Sequence, residues 1–358
     1  MLKTKTILSF LLLLTATVQS AGVTVHLTIA SLLHQYIPSD IQSGSHLSSY
    51  LAGAFFPDAY YNCLGLSDEA EEAHWPPFLQ AGVNYYRDEY TSKGLENTEL
   101  KSFLYGIFTH QVTDLSWHSL HSKQGLLQML QYLEFDGDNN MAHTFLDPAG
   151  DFIVLSKQLR NLSKEKLRLL TEFYHHDWSI PSDDLIEIYH RLGYDTITHG
   201  NLDLCVMTGY SALQGEFTSS LITTPKVNYY LNESPMLDEV LLEYYYGGIS
   251  EIVTTTRICV EQLDSWFDNG IEDPPVDLCS LETRLDSKST AFDLTSTLEK
   301  PELVLTTVRS AGIGEGLYLT SSVANSHFGS SFKVGNFLSG NKPAIAIGAP
   351  YDDITGSP

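Results

Sequence analysis

The stretch Phe103-Leu-Tyr-Gly-Ile-Phe-Thr-His110-Gln-Val-Thr-Asp114-Leu-Ser-Trp117-His118 decides how this chain is read. Taken as a helix at roughly 100° per residue, it puts Phe103, Ile107, His110, Asp114, Trp117 and His118 in one arc. Leu104, Phe108, Val112 and Leu115 fill the adjoining arc. Two imidazoles and a carboxylate therefore stand at i, i+4 and i+8 on a face that should be buried. Left uncompensated, such a polar row is costly. A bound cation removes the cost, because neutral His and ionised Asp are zinc ligands.

Outward from this helix the pattern is again helical. Apolar residues recur at helical spacing from Val25 to Tyr36, with Pro38 as the stop, and His46 to Phe56 is expected to end at Pro57. Asp68 to Glu72 reads as an acidic helix start. Phe78 to Tyr90, Gln124 to Leu133, Gly150 to Leu170, Ser182 to Leu192, Met236 to Tyr246 and Val253 to Phe267 complete a mainly α-helical block. No alternation of strands and helices suggests a parallel sheet. From residue 271 the character changes. A Pro- and Ser/Thr-rich linker over 271–302 leads to short β segments with Gly and Pro punctuation over 303–358.

The formal net charge of -24 over 358 residues argues against a nucleic-acid partner, which needs Lys and Arg. It also argues against adsorption to an anionic membrane by charge alone. At the N-terminus Lys3 and Lys5 precede an apolar run, and Val18-Gln-Ser20 supplies a cleavage site, so residues 1–20 are expected to be a secretory signal peptide. Secretion makes two disulfides the natural reading of Cys63, Cys205, Cys259 and Cys279. Three pairings are open, and Cys259–Cys279 is the most local choice. Asn161 and Asn232 stand in glycosylation sequons.

Further candidate ligands lie on both sides of the central helix: His26, Asp58 after Pro57, His74 before Trp75, and the pair His143 and Asp147 at i and i+4. Cleavage after Ser20 would make Ala21 the first residue, and its α-amine and carbonyl could also bind metal. Asp147 precedes Pro148, which disfavours helical backbone at Asp147. His121 could replace His118 on the same helical face.

The order His, Asp, His, His-x3-Asp-x3-His, His-x3-Asp resembles the zinc-dependent phospholipase C and single-strand-specific zinc nuclease superfamily, and within it the glycosylphosphatidylinositol-specific phospholipase D branch. Thr24-Val-His26, Gly53-Ala-Phe-Phe-Pro-Asp58, Ala73-His74-Trp75, the central stretch, Ala142-His143 with Asp147, Trp178-Ser-Ile-Pro181 and Tyr246-Gly-Gly248 carry it. The resemblance implies an α-helical zinc domain over residues 21–270 and probes a specific ligand set. His74, His110, Asp114 and Asp58 would hold one zinc, and His118, His143 and Asp147 a second. Ala21, His26 and a bridging Asp114 would hold a third. Asp58 is also the candidate catalytic base.

The implied activity is hydrolysis of the phosphodiester of glycosylphosphatidylinositol (GPI) anchors, with GPI-anchored proteins or GPI lipids as substrate and peripheral contact with membrane lipid. No protein partner is expected. The alternatives on the same scaffold are C-type cleavage, another phosphodiester, or a truncated non-catalytic homologue. Phe328-Gly-Ser-Ser-Phe and Ile345-Ala-Ile-Gly-Ala-Pro350 resemble one FG-GAP repeat of a β-propeller, without the acidic calcium loop. One repeat cannot close a propeller, so the expectation is a shortened form of a longer protein.

Overall fold

The computed structural model describes residues 21–271 apart from 62, 121–124, 161–162, 223–224 and 245, together with Cys279 and the backbone of four strands between 303 and 348. The chain divides into two units, Met1–Ser289 and Thr290–Pro358. The described helices of the first are α1 (Val23–Leu33), α2 (Gly44–Ala59), α3 (Ser67–Ala73), α4 (Pro76–Glu89), α5 (Thr98–Trp117), α6 (Leu126–Glu134), α7 (Asn139–Leu159), α8 (Lys164–Tyr174), α9 (Ser182–Arg191), α10 (His199–Ile222), α11 (Pro225–Glu233), α12 (Pro235–Val240) and α13 (Ile249–Asn269). In the second unit the strands pair as two antiparallel ladders, β1 (Leu303–Ser310) with β2 (Ile313–Ser321) and β3 (Ser331–Gly335) with β4 (Ala344–Gly348).

Helix α5 is the axis of the helical unit. Asn97 starts it by accepting a hydrogen bond from Leu100 N at 3.0 Å, which satisfies one of the N–H groups that a helix start leaves open. It ends at Trp117, with His118 as C-cap and Ser119 in the left-handed region at φ 52°. Every residue from Ser102 to Trp117 is buried. The helix is therefore enclosed on all sides, and its polar residues must find partners inside the protein.

The closest packing is between α5 and α2. A Cβ added at Gly53 would lie 2.1 Å from Phe103 O, and one at Gly106 would lie 2.3 Å from Tyr50 O. The two backbones touch where these glycines meet, so neither position has room for a side chain. On either side of this contact lie Tyr50, Phe56, Phe78, Phe103 and Tyr189, all fully buried. Each such side chain contributes about 1.5–3 kcal/mol by leaving water. A second cluster, built on Trp117, Leu126, Leu130, Leu146 and Ile153, ties α1, α6, α7 and α13 to the end of α5.

Several sequence expectations are corrected. Pro57 does not stop α2, which runs on to Ala59. Proline removes one backbone donor near the end of the helix, and the buried aromatic pair Phe55–Phe56 holds the last turn in place. Asp147 and Pro148 both lie inside α7, so the local bias against helix before proline is overridden by packing. The expected helix from Gly150 to Leu170 is two helices, broken before Ser163, whose hydroxyl caps α8 by accepting from Lys166 N. Helix α10, 24 residues long, was not expected at all. Its exposed Leu204 and Met207 blur the apolar stripe that would have marked it.

Disulfides join Cys63 to Cys205 and Cys259 to Cys279. The first closes a loop of sequence separation 142, which in the chain-entropy account is worth about 5 kcal/mol. Among the described residues no helix is long and apolar enough to cross a membrane. The expected signal peptide and Asn161 lie outside the described residues, whereas Asn232 is exposed near the end of α11.

Candidate metal centre

Four elements converge on Asp114, two turns past Gly106 on α5. Helix α1 brings His26, the last turn of α2 brings Asp58, the end of α3 brings His74, and α5 itself brings His110 and His118. Four imidazole Nε2 atoms surround the Asp114 carboxylate: His26 at 3.2 Å, His110 at 3.3 Å, His74 at 3.5 Å and His118 at 3.6 Å. Asp58 faces the same space, with His74 Nε2 3.2 Å from its Oδ1 and His26 Nε2 3.5 Å from its Oδ2. The His26 ring stacks on that of His110 at 4.0 Å. Asp58, His74, His110 and Asp114 form one group that could hold an ion, and all four are buried.

A second group is shallower. His118, His143 and Asp147 converge where α5 and α7 approach. The two rings stack at 4.5 Å, and His143 Nδ1 lies 3.7 Å from Asp147 Oδ2. The side chains of His118 and His143 are 11% and 22% exposed, while those of His26 and His110 are at 0%. Trp117 Nε1 donates to Asp147 Oδ1 at 3.1 Å and fixes the carboxylate. Gly150 lets the indole lie against α7, since a Cβ there would be 2.6 Å from the ring.

The donor set fits a cation for a specific reason. His74 Nδ1 lies 2.7 Å from Ala70 O, and His110 Nδ1 lies 2.9 Å from Ala54 O. A carbonyl only accepts, so each Nδ1 carries the hydrogen when the ring is neutral, and each Nε2 then points a lone pair at carboxylate oxygens. Lone pair against anion is repulsive unless a positive charge lies between them. His110 Nε2, Asp58 Oδ2, His118 Nδ1 and Asp147 Oδ2 are buried and make no hydrogen bond. Zinc bonds of about 2.0–2.1 Å in a tetrahedron separate ligand atoms by roughly 3.3 Å, and paired His and Asp ligand atoms here stand 3.2 to 3.7 Å apart, with all the atoms of each group within 4.8 Å of one another.

The protein's own charges set the two groups apart. Burial pushes the Asp114 carboxyl up, but His110 and His26 outweigh it and hold it well below the carboxylate range. Burial and the neighbouring His26 lower His110. Burial lowers His74, yet its hydrogen bond to Asp58 and the charge of that carboxylate raise it overall. In the shallower group burial pushes His118 down to about 3 and lowers His143. Burial raises Asp147 well above its ordinary value, with Asp114 and Asp58 adding to the rise.

A model of the zinc dependent phospholipase C family matches residues 25–216. The chain belongs to that family. This zinc-dependent phospholipase C homologue is 32% identical over 366 residues to an uncharacterized protein of Saccharomyces cerevisiae, covering 95% of this chain and 46% of that one. It is 31% identical over 281 residues to the phosphatidylinositol-glycan-specific phospholipase D of Dictyostelium discoideum, covering 75% and 28%. Against the protein of the same name from Homo sapiens it is 33% identical over 234 residues, covering 64% and 26%. The chain thus spans less than half the length of these relatives. No solved structure matches it.

The phospholipase homologue brings together His26, Asp58, His74, His110, Asp114, His118, His143 and Asp147. Ala21 is buried two residues before α1. His121 lies outside the described residues. Sequence reasoning missed Gln111. Gln111 donates to Ala73 O at 3.0 Å and Trp75 O at 2.9 Å, clamping the segment that carries His74. The Tyr246-Gly-Gly248 turn seats beside the end of α5, where Gly247 has φ 96° and a Cβ would meet Ser116 O at 2.7 Å. Gly247 N donates to Glu251. The only sequence signal for Gln111 was its place beside His110.

Proposed function

We propose that this protein is a secreted zinc phosphodiesterase that cleaves GPI anchors in the D-type sense, releasing phosphatidic acid and the glycan-bearing protein. The observation that carries the reading is the convergence of four imidazoles on Asp114 beside a second His/Asp group. The names of the relatives from Dictyostelium discoideum and Homo sapiens supply the substrate class. In this reading Asp58, His74, His110 and Asp114 hold one zinc, and His118, His143 and Asp147 a second. Ala21, His26 and Asp114 would hold a third. Residues 1–20 are a leader, 21–270 the catalytic domain, 271–302 a linker and 303–358 a segment of FG-GAP repeat type. Asn161 and Asn232 carry glycans.

Bound zinc would neutralise the phosphate oxygens and lower the pKa of water to about 7. Asp58 Oδ2, buried and without a hydrogen bond, is the candidate base that accepts the proton of the attacking water. Water oxygen bonds to phosphorus, the bond from phosphorus to the inositol oxygen breaks, and that oxygen leaves with a proton. Asp58→Asn with full metal content and full rate would remove this role. His74 and His110, anchored through Nδ1, hold Nε2 toward the centre.

The family name favours a second reading, C-type cleavage. The two share a site and differ in which side of the phosphate leaves. Zinc-loaded protein given a GPI-anchored substrate with labelled lipid, with and without a chelator, separates them. Chelator-sensitive phosphatidic acid supports D-type cleavage, and diacylglycerol supports C-type. No lipid product from protein with bound zinc overturns both and points to another phosphodiester or a non-catalytic homologue.

A further inference from the structure

Behind the metal-facing side of α1 lies a pair of acids that the ligand set does not use. Asp151, one turn beyond Asp147 on α7, is 2% exposed, and its Oδ1 accepts from Val25 N at 2.9 Å. Its neighbour Glu216, on α10, accepts from the Thr24 hydroxyl at 3.1 Å. Glu216 also acts on the Asp151 carboxyl through its charge. Burial raises both carboxyls. Lys226 is the cation that acts on Glu216.

Helix α1 has no side-chain cap of its own, because its N-cap is Gly22. Asp151 supplies the cap from another helix. The fit leaves no space for a side chain at residue 22: a Cβ there would lie 2.0 Å from Asp151 Oδ2 and 2.3 Å from Oδ1. Gly22 is needed here for close approach, since its φ of -64° is open to any residue. One turn on, His26 N donates to Gly22 O, so the rotation that Asp151 imposes on the start of α1 is inherited directly by His26.

We propose that Asp151, backed by Glu216, is a positioning residue for His26: it locks the first turn of α1 to α7 and so fixes the imidazole between Asp58 and Asp114. The inference rests on the reading of this centre as a zinc site. It also gives α7 two tasks one turn apart, with Asp147 facing the shallower group and Asp151 holding the helix that completes the deeper one. A buried Asp and Glu at a helix start are thereby explained without making either a ligand.

The test compares wild type, Asp151→Ala, Asp151→Asn and Gly22→Ala as the full secreted chain. Each is loaded with zinc, and release to a chromophoric chelator is followed; the visible spectrum of the cobalt-loaded form reports ligand geometry. Circular dichroism checks the fold. Asp151→Ala is expected to lose one metal equivalent about tenfold faster than wild type, the scale seen for partners that orient ligands, with an altered cobalt spectrum. Asp151→Asn keeps an acceptor for Val25 N and should return both readouts to near wild type. Gly22→Ala should behave as Asp151→Ala, and carries the test if Asp151→Ala does not fold. Unchanged release and spectrum in both Asp151→Ala and Gly22→Ala would overturn the positioning role, as would an Asp151→Asn no better than Asp151→Ala. Wild type that binds no zinc would instead overturn the metal-centre reading on which the inference stands.

Discussion

The deep and the shallow ligand groups share one helix but solve the same electrostatic problem differently. In the deep group, imidazoles crowd an aspartate that is ionised already, because His110 and His26 outweigh its burial. In the shallow group no such crowd exists, and burial holds the Asp147 carboxyl well above its ordinary range. In the deep group His26, Asp58 and His110 are closed to solvent, while His118 and His143 of the shallow group reach it. A metal in the deep group replaces a repulsion that the protein holds in place. In the shallow group it competes with a proton for Asp147, and its two histidines are more exposed. The contrast separates a buried group organised around an ionised Asp114 from a more exposed group whose ligands exchange more easily.

The largest effect that would break this contrast is at Asp114, which both groups touch. Asp114→Asn should reduce phosphodiester hydrolysis on the order of a thousandfold, the upper range for losing one preorganised charge contact, and should lower zinc content in both groups. Loss from only one group, measured by metal analysis, would mean that the two are independent. Trp117→Phe sharpens the difference instead. Removing the indole N–H frees Asp147 Oδ1, so metal affinity should drop roughly 10–100-fold in the shallow group alone. Competition titration should resolve two classes of site, with the tighter one unmoved.

Acidity offers a third probe. A carboxyl whose pKa is raised in the folded protein carries a proton below that value, and metal must expel it. Affinity of the shallow group should therefore fall with pH by about tenfold per unit below the folded pKa of Asp147. His118, held at about 3 by burial, stays neutral through this range and contributes no slope. The proton lost from the shallow group should appear in infrared difference spectra as the disappearance of a protonated carboxyl band. The deep group should show no such band at Asp114, which His110 and His26 hold well below the carboxylate range. The smallest effect is kinetic: a chelator should strip the more exposed group first, by a factor of several. Equal rates would dissolve the distinction drawn from exposure.

The His110–Asp114–His118 row was legible because a helical period turns sequence spacing into shared direction, and chemistry names the ligand types. The mainly helical fold was legible for the same reason. What stayed hidden was whatever depends on backbone atoms brought from elsewhere. Nothing in the spacing says that Ala54 O and Ala70 O fix the His110 and His74 tautomers. Asp147 was misread because a local rule about the residue before proline competes with packing, and packing on Trp117 won. Helix α10 escaped because its exposed leucine and methionine leave no clean apolar face. The Cys63–Cys205 pairing lay beyond any argument from proximity, which reached only Cys259–Cys279. Asp151 and Glu216 carried no motif at all.

The contact between Gly53 and Gly106 has a consequence for how this site tolerates change. Gly53 lies five residues before Asp58 and Gly106 four before His110, so the metal ligands sit about one turn from the point where the two backbones touch. The spacing between these ligands is set by two residues with no functional group to offer. A search that ranks positions by chemistry would pass over both, yet the smallest possible insertion, one methyl group, would push apart the helices that carry the ligands. For anyone transplanting this centre into another scaffold, the pair of bare positions is as much a part of the specification as the histidines.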